Sequence, residues 1–326
     1  MTGTTDRQAP TERSVSALLM PGSIQRSTIV LAWLNFIAET LIIATGGAVR
    51  LTGSGLGCPT WPTCTPDSLI PTPEMGIHGF IEFGNRTMTG LVGIIAVLVL
   101  LQVFRMRRER RDLFTLALIV VLGVVAQAFV GGVTVWTGLN PFIVGFHYVA
   151  SLALVCVTAA FLVRLYSPVG PRERVVPRWY AILAHVTSLA LAVTIAFGIA
   201  TTASGPHSGD VTAGRTGFDA ELLQHVHAWP SYLMFALTVV LVIGAVARRL
   251  AVAPWMLALL ALELVQIAVG LYQARNGLPP VFVGLHMVLA ALIAATMTVA
   301  LLKLKAVPAQ NGSSGSIPTA TKTSVK

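Results

Sequence analysis

Two histidines recur in one phrase at one spacing. Gln127-Ala-Phe-Val-Gly-Gly leads through Gly138-Leu-Asn-Pro to Val144-Gly-Phe-His147, and Gln266-Ile-Ala-Val-Gly leads through Gly277-Leu-Pro-Pro to Val283-Gly-Leu-His286. The offset from Gln to Gln equals that from His to His, so a helix–loop–helix unit is duplicated without a gap. An imidazole inside a lipid-spanning segment is costly unless something uses it. A pair at equivalent points of two repeats suggests two equivalent ligand sites, and the natural ligand for such histidines is heme iron.

The elements that must position them are membrane helices. Of 326 residues, 55% are hydrophobic and 11% charged, which describes an all-α polytopic membrane protein and excludes a soluble globule. Eight apolar stretches are long enough to span, near 28–48, 79–104, 113–135, 142–166, 179–201, 221–246, 254–273 and 281–304. Residues 1–26 are polar and lack a signal peptide's apolar core and cleavage site. They read as a cytoplasmic arm, and 306–326 as a disordered cytoplasmic tail.

The net charge of +9 is a topology signal and no mark of nucleic-acid binding. Most of the Lys and Arg lie in the N-terminal arm, the 105–111 loop, the 164–178 loop, Arg248-Arg249 and the C-terminal segment. If eight helices alternate, these all fall on one side, which the positive-inside rule makes cytoplasmic. The protein then sits in the cell membrane with both termini inside. The basic face also suits contact with anionic membrane lipid.

The repeat reaches further than the histidine phrase. Gly46–Gly53 resembles Gly198–Gly205, and Ile81-Glu-Phe-Gly-Asn-Arg86 stands where the second half has Leu223-Gln-His-Val-His-Ala228. Glu82 is thereby matched with Gln224, and Asn85 with His227. Two repeated four-helix bundles follow, 27–166 and 179–305, joined by a basic cytoplasmic linker at 167–178. His147, His286, His227, Glu82 and Asn85 all fall near the outer ends of their helices. In the second half, His227 and His286 are placed to grip one iron from both sides. His225 falls on another helix face and reads as a local polar contact, and His185, near the inner end of its helix, as structural.

Cys58 and Cys64 share the first outer loop, where a small disulfide ring can close on the oxidising side. It would be either a structural clip or a redox-active pair open to thiols. Cys156 reads as a small packing residue. Arg50, Arg86, Arg215 and Arg275 are the outer-face cations, candidates for anionic heme propionates. Glu39 and Glu263 lie within spans, their partners illegible.

These residues resemble the heme A synthase family. The likeness spans all eight helices and rests on Thr45-Gly-Gly-Ala-Val-Arg50, Gly57-Cys-Pro-Thr-Trp-Pro-Thr-Cys64, Ile81-Glu-Phe-Gly-Asn-Arg86, Gly145-Phe-His147 and Gly284-Leu-His286. The cysteine loop is the most specific of these. The resemblance implies oxidation of the C8 methyl of heme O to a formyl group, giving heme A for terminal oxidases with water as the oxygen source. It implies a cofactor heme b on His227 and His286, and a substrate heme O on His147, handed over by a heme O synthase. Glu82 matches the acid needed for activity, and Cys58 and Cys64 match a disulfide pair. Many members carry a histidine where this chain has Asn85, so His147 is the evident ligand of the substrate site, which Asn85 lines. His78, on the same helical face as Glu82 and Asn85, is the candidate for a second ligand, although two turns, about 10 Å of rise, separate it from Asn85.

Taking hydride or electrons from a ring methyl develops positive charge that a nearby carboxylate stabilises, and Glu82 could also accept a proton from the attacking water. Its structural reading is an acid at a helix N-terminus. Two other functions compete. A diheme b-type electron-transfer protein would want matched bis-histidine pairs in both halves, whereas Glu82 and Asn85 face Gln224 and His227. A repeat-built transporter would want helices broken at mid-membrane, whereas Gly and Pro cluster at the outer ends. Assembly into a homo-oligomer is left open.

Overall fold

A computed structural model describes residues 19–308. Helix α1 is Arg26–Leu51, α2 Gly76–Phe104, α3 Arg111–Trp136 and α4 Pro141–Leu165. The second half follows with α5 Arg178–Ser204, α6 Ala220–Ala247, α7 Ala253–Arg275 and α8 Pro280–Lys303. All eight are long and apolar enough to cross a membrane, and their bounds lie within a few residues of the sequence expectation. Large apolar side chains such as Ile94, Leu122, Val125, Leu189 and Ile243 point outward, as lipid allows and water would not. The protein is a multi-pass membrane protein. The expected N-terminal arm and most of the expected tail lie outside the described residues.

The duplication extends to backbone hydrogen bonds. After α3, Gly138 and Leu139 both take positive φ, and after α7 so do Gly277 and Leu278. Leu139 N–H donates to the Thr134 carbonyl at 2.8 Å, and Leu278 N–H to the Gln273 carbonyl at 2.9 Å. Left-handed backbone at a leucine is uncommon and strained, so its recurrence at matched positions marks one turn used twice. Each turn leads into a helix with Pro in its first turn, Pro141 and Pro280, where the missing N–H is not needed. The turns thus fix the angle at which the histidine-bearing helices re-enter the membrane.

The halves meet through α1, α4 and α8. A cluster of Ile43, Leu152, Val155, Ala159, Ala291 and Ala295 fills the junction, and its alanines let the helices approach closely. Each half also keeps its own core toward the helix ends away from the site histidines, around Val99, Val103, Leu113 and Phe161 in the first and around Tyr180, Leu241, Met256 and Met297 in the second. At that same end the linker is pinned: β1 (Glu173–Arg174) pairs antiparallel with β2 (Lys305–Ala306), directly after α8. Ala306, expected to begin the free tail, is therefore the last residue of this small ladder.

At the other end of the bundle two long loops, after α1 and after α5, close over it. Trp61 packs edge-on against Phe129 and Trp136, and its indole lies so close over Gly132 that a Cβ there would stand 2.5 Å from it. The loop between α5 and α6 crosses to the first half, where Arg50 donates to the carbonyls of His207 and Thr202. The His207 ring returns to the second half and meets the Leu278 carbonyl at 2.9 Å.

Candidate functional site

Two cavities open beneath these loops. One of about 740 Å³ is lined by His227 and His286 and also by His147, Asn85 and Gln127, so it runs from one half into the other. A smaller one of about 210 Å³ is lined mainly by the first half, with Trp61, Glu82, Asn85, Arg86 and His147, and is closed by Ser208 and Gly209 of the loop between α5 and α6.

In the second half the imidazoles of His227 and His286 face one another with ring centres 6.2 Å apart. Two imidazoles sharing one metal, at metal–nitrogen bonds of about 2 Å and roughly 1 Å more from nitrogen to ring centre, stand with centres about 6 Å apart. The spacing fits. His227 Nδ1 lies 2.9 Å from the Thr194 carbonyl. A carbonyl only accepts, so Nδ1 carries the proton and Nε2 keeps its lone pair for a metal, the outer support typical of ligating histidines. Both rings rest on glycines: a Cβ at Gly198 would come within 2.9 Å of His227 Cε1, and one at Gly270 within 3.2 Å of His286 Cε1. Among the described residues no group of three or more His, Cys, Asp or Glu side chains could hold a metal ion. A facing pair of histidines alone therefore suits a metal whose other ligands come from a macrocycle.

The first half repeats this frame with different side chains. Gln127 Nε2 donates to the His147 carbonyl at 2.7 Å and Gln266 Nε2 to the His286 carbonyl at 3.1 Å. A Cβ on Gly131 would lie 3.6 Å from the His147 ring, and one on Gly46 would lie 3.9 Å from Asn85 Oδ1. Asn85 thus sits over Gly46 as His227 sits over Gly198. Its Oδ1 accepts from Thr45 at 2.7 Å. His147 Nδ1 is buried without a partner, as is His286 Nδ1.

Glu82 is 5% exposed and lies two turns inside α2, so it is no helix-end acid. One carboxylate oxygen pairs with Arg86 one turn on; the other accepts the Cys58 N–H at 2.6 Å. Arg86 in turn donates to the carbonyls of Thr63 and Cys58, both at 3.1 Å. The pair therefore ties the cysteine loop to α2 while lining the first-half cavity. Cys58 and Cys64 are joined by a disulfide and are both fully buried. Their burial shields the sulfurs from solvent thiols, which favours the structural clip over the redox-active pair.

The remaining expectations divide. Arg50 lines both cavities and Arg275 the larger one, while Arg215, bonded to the Pro206 carbonyl, lines neither. His78 is exposed and bonded to Ser54 at 2.9 Å; it lines neither cavity and is not brought to His147. His185 also lines neither. His225, expected on another face, lines the larger cavity with His227. Sequence reasoning gave no role to Gln127 and Gln266, the glycine rests or the Thr194 carbonyl. The glutamines stood in the repeated phrase and were legible there; a backbone acceptor has no sequence signal.

Fold and site together define an eight-helix membrane protein built from a duplicated four-helix unit, with a bis-histidine pocket in one half and a histidine–carboxylate pocket in the other. Residues 29–207 match the family model COX15-CtaA, described as cytochrome oxidase assembly protein, and the chain belongs to that family. The match takes in Cys58, Cys64, Glu82, Asn85 and His147 and ends before His227 and His286. The chain is similar to the heme A synthase of Listeria welshimeri, 30% identical over 133 residues, 40% of this chain and 43% of that protein. It is similar to the heme A synthase of Lysinibacillus sphaericus, 35% identical over 120 residues (36% and 38%), and to that of Geobacillus kaustophilus, 29% identical over 111 residues (34% of each). The aligned stretches span less than half the length of these relatives.

Proposed function

We propose that this protein is a heme A synthase, an oxidoreductase that converts the C8 methyl of heme O to a formyl group with water as the oxygen source. The observation that carries this is the asymmetry between two otherwise matched pockets. The second offers a facing pair of histidines, and the first offers one histidine, an asparagine and a buried carboxylate. A stable cofactor site needs two strong ligands; a reacting site needs an open position and a charged group.

In this reading His227 and His286 hold a heme b that supplies electron transfer. His147 anchors heme O, with Asn85 on the opposite helix too weak a ligand to close the iron. Arg275, which lines the cavity, is the candidate for a propionate; Arg50 lines it too, but has two of its N–H groups committed to the His207 and Thr202 carbonyls. Glu82, lining the first-half cavity, stabilises positive charge developing on the methyl carbon. Its bond from Cys58 N–H and its pairing with Arg86 hold the carboxylate in place. The oxidation releases four electrons and four protons per formyl group formed, which an acceptor outside the chain would have to take up, and a heme held by His227 and His286 would supply one-electron chemistry for that. Heme O arrives from a heme O synthase, and both chain termini face the cytoplasm.

The test is to express the protein with a heme O source in a host that makes no heme A, then separate the extracted hemes by chromatography. Heme A should accumulate. Heme b alone, with heme O unchanged, would favour a diheme electron-transfer protein.

A further inference from the structure

Glu263 is unused by that reading. It lies in the middle of α7, 4% exposed, and lines the larger cavity. One carboxyl oxygen accepts from Thr238 at 2.8 Å; the other is buried without a partner. The ion pairs among the described residues use Glu82 and Asp112 as their acids, so no cation offsets this carboxyl. An acid at such depth is expensive and marks function by default.

Its placement says which function. Glu263 is seven residues, about 10 Å along the helix, inward of Gly270, on which the His286 ring rests. Its Thr238 bond reaches α6, the helix that carries His227. The carboxyl therefore bridges α7 and α6 about 10 Å along α7 from the bis-histidine pair and borders the same cavity. At its level α6 and α8 contribute Met234, Leu241, Ile293 and Met297, none of them charged or titratable. Apart from the histidine ligands, the titratable groups sharing the cavity are Glu39, Arg50, His147, Tyr148, His207, Glu221, His225, Tyr232 and Arg275. Of these, Glu39 alone is another acid deep within a span, and it belongs to α1 of the first half.

We propose that Glu263 is a redox-linked proton acceptor for the second-half heme, resting on the reading that His227 and His286 bind one. An electron arriving at the iron adds negative charge to a pocket of low dielectric. A carboxylate bordering that pocket then gains affinity for a proton, drawn from solvent through the outer mouth. One electron and one proton enter together, and no bond is made or broken besides the O–H. By linkage, the protonation state of Glu263 sets the heme potential. Glu263 acts through the electrostatics of the pocket and is a positioning group for charge, not a ligand.

Redox potentiometry of the purified, heme-loaded protein tests this, following the b-type absorption from pH 6 to 8.5. The wild-type potential should fall as pH rises, by up to about 59 mV for each tenfold drop in proton activity. Glu263→Gln should keep the low-spin spectrum and flatten the slope; Glu263→Asp should restore it, and Glu39→Gln should leave it unchanged. A wild-type potential independent of pH would overturn the proposal. So would a slope that survives Glu263→Gln or vanishes with Glu39→Gln instead. A wild-type protein with no b-type spectrum would overturn the heme site itself and this proposal with it.

Discussion

The hydroxyl of Tyr148 donates to the carbonyl of Met287 at 3.0 Å, and these residues, 139 apart, occupy the same position in the two repeats. Each directly follows a site histidine, His147 or His286. The point where equivalent residues touch lies on the axis relating the halves, so the histidine-bearing helices α4 and α8 flank that axis side by side. This places the two pockets back to back and explains why one cavity reaches both.

The glycine rests under the imidazoles give the first prediction. Gly198→Ala would set a methyl group 2.9 Å from His227 Cε1, closer than side chains pack, so the ring must turn or α5 must move. Overpacking of this kind costs about 1–3 kcal/mol, which corresponds to roughly a thirtyfold loss of heme b affinity near the middle of that range. Titration of the apo-protein with heme, followed by absorption, measures it. Full wild-type affinity would show that ligation by His227 does not depend on the close approach of α5 at Gly198.

The cysteine loop gives the second. The disulfide closes a ring of few residues, so replacing both cysteines by serine should cost about 2 kcal/mol in the stability of the loop and its anchor. Because both sulfurs are buried, alkylation after mild reductant should proceed only once the protein is unfolded. Mass spectrometry of freshly isolated membranes reads the outcome, and free, alkylated Cys58 and Cys64 would refute the clip.

Glu82 gives the third. Glu82→Gln removes the charge while keeping a side chain able to accept from Cys58 N–H. The second-half heme b should remain, heme O should still bind, and heme A formation should fall by about a hundredfold or more, the scale of removing one electrostatic stabiliser. Loss of the ion pair also leaves Arg86 a partly buried cation with backbone carbonyls as its partners, so some loss of stability is expected. Chromatography of extracted hemes separates the two effects. Heme A at the wild-type rate would reduce Glu82 to an anchor of the loop.

Much of this is legible in the sequence because lipid makes the rules strict. Spans have to be long apolar runs, and all eight agree with the helices to within a few residues. The repeated phrase locates His147 and His286, and the aligned starts of α2 and α6 locate Glu82, Asn85 and His227. What stays hidden are contacts set by tertiary packing. The spacing of Glu82 and Arg86, one turn apart, allows their pairing, but nothing local tells that Arg86 is also spent on the Thr63 and Cys58 carbonyls and is thereby less free for a propionate. Nor does spacing tell that His78, on the same face as Glu82, is held outward by Ser54. His225 follows from a different cause: two residues from His227 on a helix is about 200° of rotation, yet the cavity mouth is wide enough to include both.

The central claim is a division of labour between the halves, and the hemes retained by two variants test it most directly. His147→Ala and His227→Ala should be purified from cells supplied with heme O, and their hemes extracted and separated. The account predicts that His147→Ala keeps heme b and loses heme O and heme A, while His227→Ala loses heme b. Loss of the same heme from both variants would contradict it.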